Sequence, residues 1–297
     1  MNIKEIKKLK VGEVIENIDL KKYTTYKAGG KASLLVKPKD VNKLIILLKY
    51  LRENNIKHKI LGNGSNLVFS DSLYDGVLIK LDSLDNLEIN GNKITVGAGY
   101  NLIKLAIKVA NLSLTGLEFA AGIPGTVGGA VFMNAGAYNS DMGYFVKEVK
   151  VLTPDLQIKT LSNKEMDFHY RTSFLQKNRD YVCLEATLVL RPGTKEAILE
   201  VMKDRKERRI ASQPLEYPSA GSVFRNPEGM YAGKMIEDIG YKGKRIGDAM
   251  VSTKHANFIV NVGKASGDDI KRLIREIQEK VKEEYKIELK VEQEFVE

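Results

Sequence analysis

The chain has one cysteine, no tryptophan and three histidines in 297 residues. A single thiol, Cys183, cannot close an internal disulfide, which fits a reducing compartment. It lies in the apolar run YVCLEATLVL and reads as an inert core thiol. His58, His169 and His255 lie far apart in sequence and, with one cysteine, offer no zinc-type ligand spacing, so no metal is expected. A Ser-His-Asp triad stays open by count, but no G-x-S-x-G elbow is present. No apolar run approaches the ~20 residues of a membrane helix. The opening MNIKEIKKLK lacks the apolar core of a signal peptide. A cytoplasmic protein with no membrane partner is therefore expected. There is no internal repeat and no low-complexity segment.

What is present is ordinary globular material, 43% hydrophobic and 29% charged, long enough for two or three domains. The formal charge is +9, from 47 basic and 38 acidic residues. Such a balance suits nucleic acid or a small anionic substrate. The lysines are scattered and no RNA-binding aromatic signature occurs, so a solvated basic surface is expected and no nucleic-acid partner. The densest cluster, Lys203–Arg209, closes a charged helix predicted over 195–209, where the helix dipole favours cations.

The least ordinary stretch is 122–136, GIPGTVGGAVFMNAG. Glycine removes the side-chain barrier and lets backbone approach a ligand. Here it alternates with Ile123, Val127, Val131, Phe132 and Met133, unlike a polar linker. Two readings stand: a buried loop wrapped against a large planar or phosphorylated ligand, or a tight structural turn. Upstream, GNGSN (62–66) lies between the short strands KHKIL and LVF. Its successive N–H groups and hydroxyl could form a nest for a diphosphate, or an ordinary turn. It is not a Rossmann fingerprint, since Leu67 occupies the third glycine position.

The spacing predicts a helix over 41–52 capped by Asp40, a helix over 101–112, and an amphipathic helix over 268–285. Asn90-Gly91 and Pro154-Asp155 mark two hairpins. Ser162 and Glu165 form a capping-box pattern, and Gly240 ends a helix over YAGKMIEDIG. STKHANFIVNVG is read as a strand. The terminal IELKVEQEFVE alternates Ile287, Leu289, Val291 and Phe295 with Glu288, Lys290, Glu292 and Glu294, as on a half-buried strand. Arg191-Pro192-Gly193 is the best candidate domain boundary.

Seven segments in order, GNGSN, AGIPGTVGGAVFMNAGAY, YRTSF, SAGSVFRNP, AGKMIEDIGYKGKRIG, KHANFIVN and VEQEF, resemble the UDP-N-acetylenolpyruvoylglucosamine reductase family of bacterial peptidoglycan precursor synthesis. The resemblance covers most of the chain. It implies an α+β, three-domain flavoprotein with a vanillyl-alcohol-oxidase-type FAD-binding fold. Two α+β subdomains (1–80 and 81–192) would hold FAD, and an α+β domain (193–297) the substrate. It implies cofactor contacts from Gly62, Asn63, Gly64, Ser65 and Asn66. Further cofactor contacts are implied from Gly122, Ile123, Pro124, Gly125, Thr126, Gly128, Gly129, Asn134, Ala135 and Gly136. The implied reaction is NADPH-dependent reduction of UDP-N-acetylglucosamine enolpyruvate to UDP-N-acetylmuramate, by a monomeric enzyme.

By matching motifs, Ser222 would be the proton donor and Arg171 would hold the substrate carboxylate, where a planar fork suits best. Glu294 would share the charge stabilisation. An ionised carboxylate would repel there, so Glu294 is expected to donate a hydrogen bond. Tyr170, Arg225, Asn226 and Lys254 would contact substrate, Lys254 at the phosphates. Gln293 stands where the family's motifs commonly carry proline. The short segment after YRTSF has no room for the extra tyrosine loop of the family's longer class, so the chain resembles the shorter class. From spacing alone Ser222, Arg171 and Glu294 read as a turn hydroxyl, an ion-pair partner and a solvated strand carboxylate. A flavin oxidase of the same fold would not predict both SAGSVFRNP and EQEF.

Overall fold

The structure is a computed structural model and describes all 297 residues. The chain folds into two compact units interleaved in sequence. One comprises Met1–Glu16, Leu34–Gly62 and Gly76–Glu207, the other Asn17–Ser33, Asn63–Asp75 and Arg208–Glu297. Each has its own apolar core: Leu34, Leu44, Leu48, Val96, Leu105, Val127, Val149 and Leu184 in the first, Phe224, Ile236, Ile259, Ile270, Leu273 and Ile277 in the second. No helix is long and apolar enough to cross a membrane.

In the first unit a five-stranded antiparallel sheet runs in the order Ile158–Ser162, Val146–Leu152, Val182–Val189, Lys93–Gly97, Leu87–Asn90. Both predicted hairpins are in it. Asn90 pairs with Lys93, so the two-residue turn is Gly91-Asn92, and Gly91 at φ 60° supplies the positive φ that a hairpin turn with glycine first needs. The helix Val41–Glu53 starts at Asp40, whose carboxylate accepts from Lys43 N at 2.8 Å, and buries Leu44, Leu47, Leu48 and Leu51. Arg191 and Pro192 pair with Thr115 and Leu114, and the unit continues to Glu207. The helix Lys195–Ser212 buries only Ile198 along its length.

The stretch 122–136 differs from the loop expected. Val127–Met133 is a helix, capped by Thr126, whose hydroxyl accepts from Gly129 N at 3.2 Å. Asn134 closes it at φ 43°. Two glycines inside a helix cost ~1 kcal/mol each. Burial of Val127, Ala130 and Val131 offsets that, since a buried valine alone contributes roughly 1.5–3 kcal/mol. Gly128 is required by packing: a Cβ there would lie 2.8 Å from Ala98 Cβ. The Ser162/Glu165 pair makes its capping-box bonds, yet it closes one turn only. Asp167, at φ 45°, ends that turn, and helix resumes at Phe174–Lys177.

In the second unit the antiparallel strands Arg245–Ile246, Ala249–Val251 and Ile259–Asn261 form one sheet. The helix Gly267–Tyr285 is opened by a Ser266/Asp269 capping box and buries Ile270, Leu273, Ile274, Ile277 and Val281, the predicted stripe. Only Ile259–Asn261 of STKHANFIVNVG is strand. The Ser252 hydroxyl accepts from the backbone N–H groups of Lys254 and His255 at 3.1 and 3.2 Å, a local turn that displaces the ladder. The terminal segment changes partners midway. Val291 bridges Phe224, and Glu294–Val296 pairs in parallel with Leu67–Phe69. The mixture of antiparallel sheets, parallel strand pairs and separate helices is the α+β class expected from the sequence.

Candidate active site

In the first unit, Gly62 and the glycine-rich stretch face each other. A Cβ on Gly62 would stand 3.1 Å from the Thr126 hydroxyl, and the Gly62 carbonyl accepts from Lys80 Nζ at 2.9 Å. Thr126 and Asn134 are buried, whereas Pro124 and Gly129 are exposed. Fixed and presented positions thus alternate along the stretch, with Thr126, Val127, Ala130, Val131 and Asn134 in the core and Pro124 and Gly129 facing outward. Gly125 differs from its neighbours, because a Cβ built on it meets no atom within 4 Å. At Gly129 only the Thr126 hydroxyl comes near, at 3.4 Å. No packing demand of the chain explains glycine at either place.

Asn134 links this stretch to YRTSF. Its amide donates to the His169 carbonyl at 2.8 Å, and its Oδ1 accepts from Gly143 N at 2.9 Å. Both ends of its side chain therefore serve the fold. Next to it, Arg171 stands at φ 53°, a conformation that costs about 1–3 kcal/mol in a non-glycine residue. The surroundings impose it. His169 and Thr172 exchange two backbone bonds of 3.0 Å across the turn, and Gln176 Nε2 donates to the Arg171 carbonyl at 2.9 Å. Gln176 Nε2 also reaches the Phe132 carbonyl at 3.1 Å, where the Ser173 hydroxyl donates at 2.7 Å. The Arg171 guanidinium donates to the Gly136 carbonyl at 2.8 Å and lies 5.2 Å from the ring centre of the exposed Tyr170. It is a fixed planar cation held at the end of the glycine-rich stretch.

In the second unit the loop residues Gly64 and Asn66 turn carbonyls into the protein, accepting from Thr25 N at 3.3 Å and Glu294 N at 2.9 Å. Gly64, at φ 62°, is needed for close approach, since a Cβ would lie 2.2 Å from the Tyr23 carbonyl. Asn66 Nδ2 donates to the Glu292 carbonyl at 3.1 Å. Glu292 N donates to the Val223 carbonyl at 2.8 Å. The backbone of EQEF therefore lies between GNGSN and GSVFRNP, and brings Ser222 and Glu294, both half-buried, onto neighbouring segments. Asn257 of KHANFIVN fixes the other side: its Oδ1 accepts from Phe224 N at 2.9 Å and its Nδ2 donates to the Phe224 carbonyl at 2.8 Å. Arg225 N donates to the Lys290 carbonyl at 2.9 Å, and Asn226 Oδ1 accepts from Ala232 N at 3.1 Å, capping the helix Ala232–Asp238. Lys254 Nζ donates to the Ile210 carbonyl at 2.5 Å.

Residues 213–296 match the C-terminal domain of UDP-N-acetylenolpyruvoylglucosamine reductase, and residues 32–162 match an FAD binding domain. The UDP-N-acetylenolpyruvoylglucosamine reductase of Halalkalibacterium halodurans is 46% identical over 295 residues, covering 99% of this chain and 98% of the relative. That of Lactobacillus acidophilus is 49% identical over 280 residues, 94% of each. The chain belongs to the UDP-N-acetylenolpyruvoylglucosamine reductase family. The crystal structure of the family's Thermus caldophilus member superposes with a TM-score of 0.83 at 36% identity, covering 96% of this chain and 99% of the other. As a member of the family the chain is an FAD-dependent oxidoreductase, with the flavoprotein fold that the sequence suggested.

The residues of the first unit fit a flavin nucleotide. Open space over Gly125 and Gly129 exposes backbone that a ring or phosphate can approach closely, and it explains glycines that packing does not. Sequence reasoning noted Gln293 only as a departure from proline, and it passed over Tyr26 and Asn257. Gln293 is 4% exposed and Tyr26 1% exposed, and they are joined by a 3.0 Å hydrogen bond. One signal was available: Gln293 shares the parity of Leu289 and Val291, an amide where the alternation calls for an apolar side chain.

Proposed function

We propose that the chain reduces UDP-N-acetylglucosamine enolpyruvate to UDP-N-acetylmuramate with NADPH as reductant. The observation that supports this best is the placement of EQEF between GNGSN and GSVFRNP, which makes Ser222 and Glu294 products of one strand insertion. FAD, when bound, would supply hydride transfer between NADPH and the enolpyruvyl double bond.

Hydride addition leaves a carbon–carbon single bond on one side and negative charge on the adjacent carbon and its carboxylate. Arg171 holds that carboxylate. Its guanidinium is rigid before substrate arrives, so stabilising the charge requires little reorganisation. Ser222 Oγ–H gives its proton to the carbanionic carbon and completes the lactyl ether. Serine is a weak acid, and the acceptor must be strongly basic; an enolate carbon is. Glu294 shares the charge stabilisation. Tyr170, Arg225, Asn226 and Lys254 hold the nucleotide sugar, with residues 193–297 as the substrate domain. Asn63, Ser65, Gly122, Ile123, Ala135 and the glycines beside them hold FAD on 1–80 and 81–192.

The test separates the half-reactions. Ser222→Ala should be reduced by NADPH at the wild-type rate, followed as loss of flavin absorbance, and should almost fail to reoxidise with the enolpyruvyl substrate. Equal loss of both steps would remove Ser222 from the donor role. NADPH oxidation indifferent to that substrate would overturn the reaction itself.

A further inference from the structure

We propose that Gln293 and Tyr26 form a buried clamp that sets the aim of Ser222, which makes Gln293 a positioning residue for proton delivery. This rests on Ser222 being the donor. The Gln293 amide faces a turn of three successive carbonyls, those of Ala220, Gly221 and Ser222, at 3.2, 3.3 and 3.5 Å from Nε2. Gly221 is at φ 75°, and its left-handed backbone folds the three carbonyls towards one point. Converging carbonyl dipoles repel one another and need a donor between them. An amide NH2 offers two hydrogens, and Tyr26 fixes which way it faces. The Tyr26 hydroxyl donates to Gln293 Oε1 at 3.0 Å, so the NH2 must point at the turn.

Tyr26 is itself anchored, because its carbonyl accepts from Asn261 Nδ2 at 3.0 Å. The chain beyond Ser222 is held independently, with Val223 N donating to the Asn257 carbonyl at 2.9 Å. Ser222 is therefore gripped on its N-terminal side by Gln293 and on its C-terminal side by Asn257.

Packing alone does not call for an amide here. A buried amide is unfavourable unless hydrogen-bonded, and an apolar side chain of the same volume would fill the space as well. What the amide adds is direction. Proline would supply no donor to this turn, so the clamp belongs to a chain that carries glutamine at 293. Proton transfer is sensitive to displacements well under 1 Å, and Ser222 is partly open to solvent while its clamp is not.

The experiment uses FAD-loaded enzyme and stopped-flow absorbance on each half-reaction. Gln293→Met keeps the volume and removes the donor; Tyr26→Phe removes one oxygen. Both should be reduced by NADPH at the wild-type rate. Reoxidation by UDP-N-acetylglucosamine enolpyruvate should slow about tenfold in Gln293→Met and by less in Tyr26→Phe, with KM unchanged and a larger solvent deuterium isotope effect. In a Ser222→Ala background neither change should slow reoxidation further. The same slowing in that background, or equal slowing of both half-reactions, would overturn the clamp and leave the donor role standing. Native reoxidation by Ser222→Ala alone would overturn the donor role and the clamp with it. Should Gln293→Met not fold, Tyr26→Phe carries the same comparisons.

Discussion

The Arg171 guanidinium donates a 2.8 Å hydrogen bond to the carbonyl of Gly136, the last residue of the glycine-rich stretch. The cation proposed to hold the substrate carboxylate is therefore oriented by the segment proposed to hold the cofactor. A lysine at 171 would keep the charge and lose the fork. Arg171→Lys should reduce kcat about 100-fold in steady-state NADPH oxidation with the enolpyruvyl substrate, with flavin content unchanged. Near-native turnover would discard the carboxylate role.

Gly125 tests the cofactor cradle. Its Cβ position is open to 4 Å, so a branched side chain there starts in free space and not against the core. Gly125→Val should fold with native circular dichroism and purify with less FAD, read from the ratio of flavin to protein absorbance. Full flavin occupancy would return this glycine to a structural turn.

Asn257→Ala should destabilise by about 2–4 kcal/mol, because it strands both the N–H and the carbonyl of the buried Phe224. The urea midpoint measures it, and an unchanged midpoint would show that the bracket contributes nothing.

His255 gives a pH dependence with a definite sign. Burial first, and Lys242 second, hold its imidazole below 6.5, and its Nδ1 accepts from Asn257 N at 3.2 Å. The unfolded chain then binds more protons than the folded one just below pH 6.5. Stability is intact above that value and falls as pH drops through it. Urea midpoints between about pH 7.5 and pH 5.5 should decline, and His255→Phe should flatten part of that decline.

Burial pushes the Cys183 thiol up to about 12. The native protein should resist alkylation by iodoacetamide at neutral pH and react once unfolded in urea, with mass spectrometry counting the adduct. Labelling of the folded protein would contradict the inert core thiol.

Most of the long helices and both hairpins were legible in the sequence because each carries a local signal, such as Asp40 as a cap or Asn90-Gly91 as a turn. What escaped was decided by contacts remote in sequence. The helix Val127–Met133 hides behind its glycines, since burial of Val127 and Val131 overrides propensity. The strand expected over Ser252–Phe258 loses to a single hydroxyl. The clamp at Gln293 joins residues 267 positions apart, and no local pattern records such a bond. The motifs named the residues near the proposed chemistry; that the buried amides of Asn134, Asn257 and Gln293 are spent on holding neighbouring backbone became visible only in three dimensions.

The interleaving of the two units has a consequence for synthesis. By the time Glu207 leaves the ribosome, every residue of the first unit exists and its core can close. Asn17–Ser33 and Asn63–Asp75 can bond to each other, but most of the core they join lies in Arg208–Glu297 and is still missing. For the time needed to make that last stretch, on the order of 10 s, the edge at Leu67–Phe69 that later receives Glu294–Val296 is an unpaired strand on a nascent chain. A chain terminated at Glu207 would retain these two orphaned segments, so the first unit cannot be isolated cleanly by truncation.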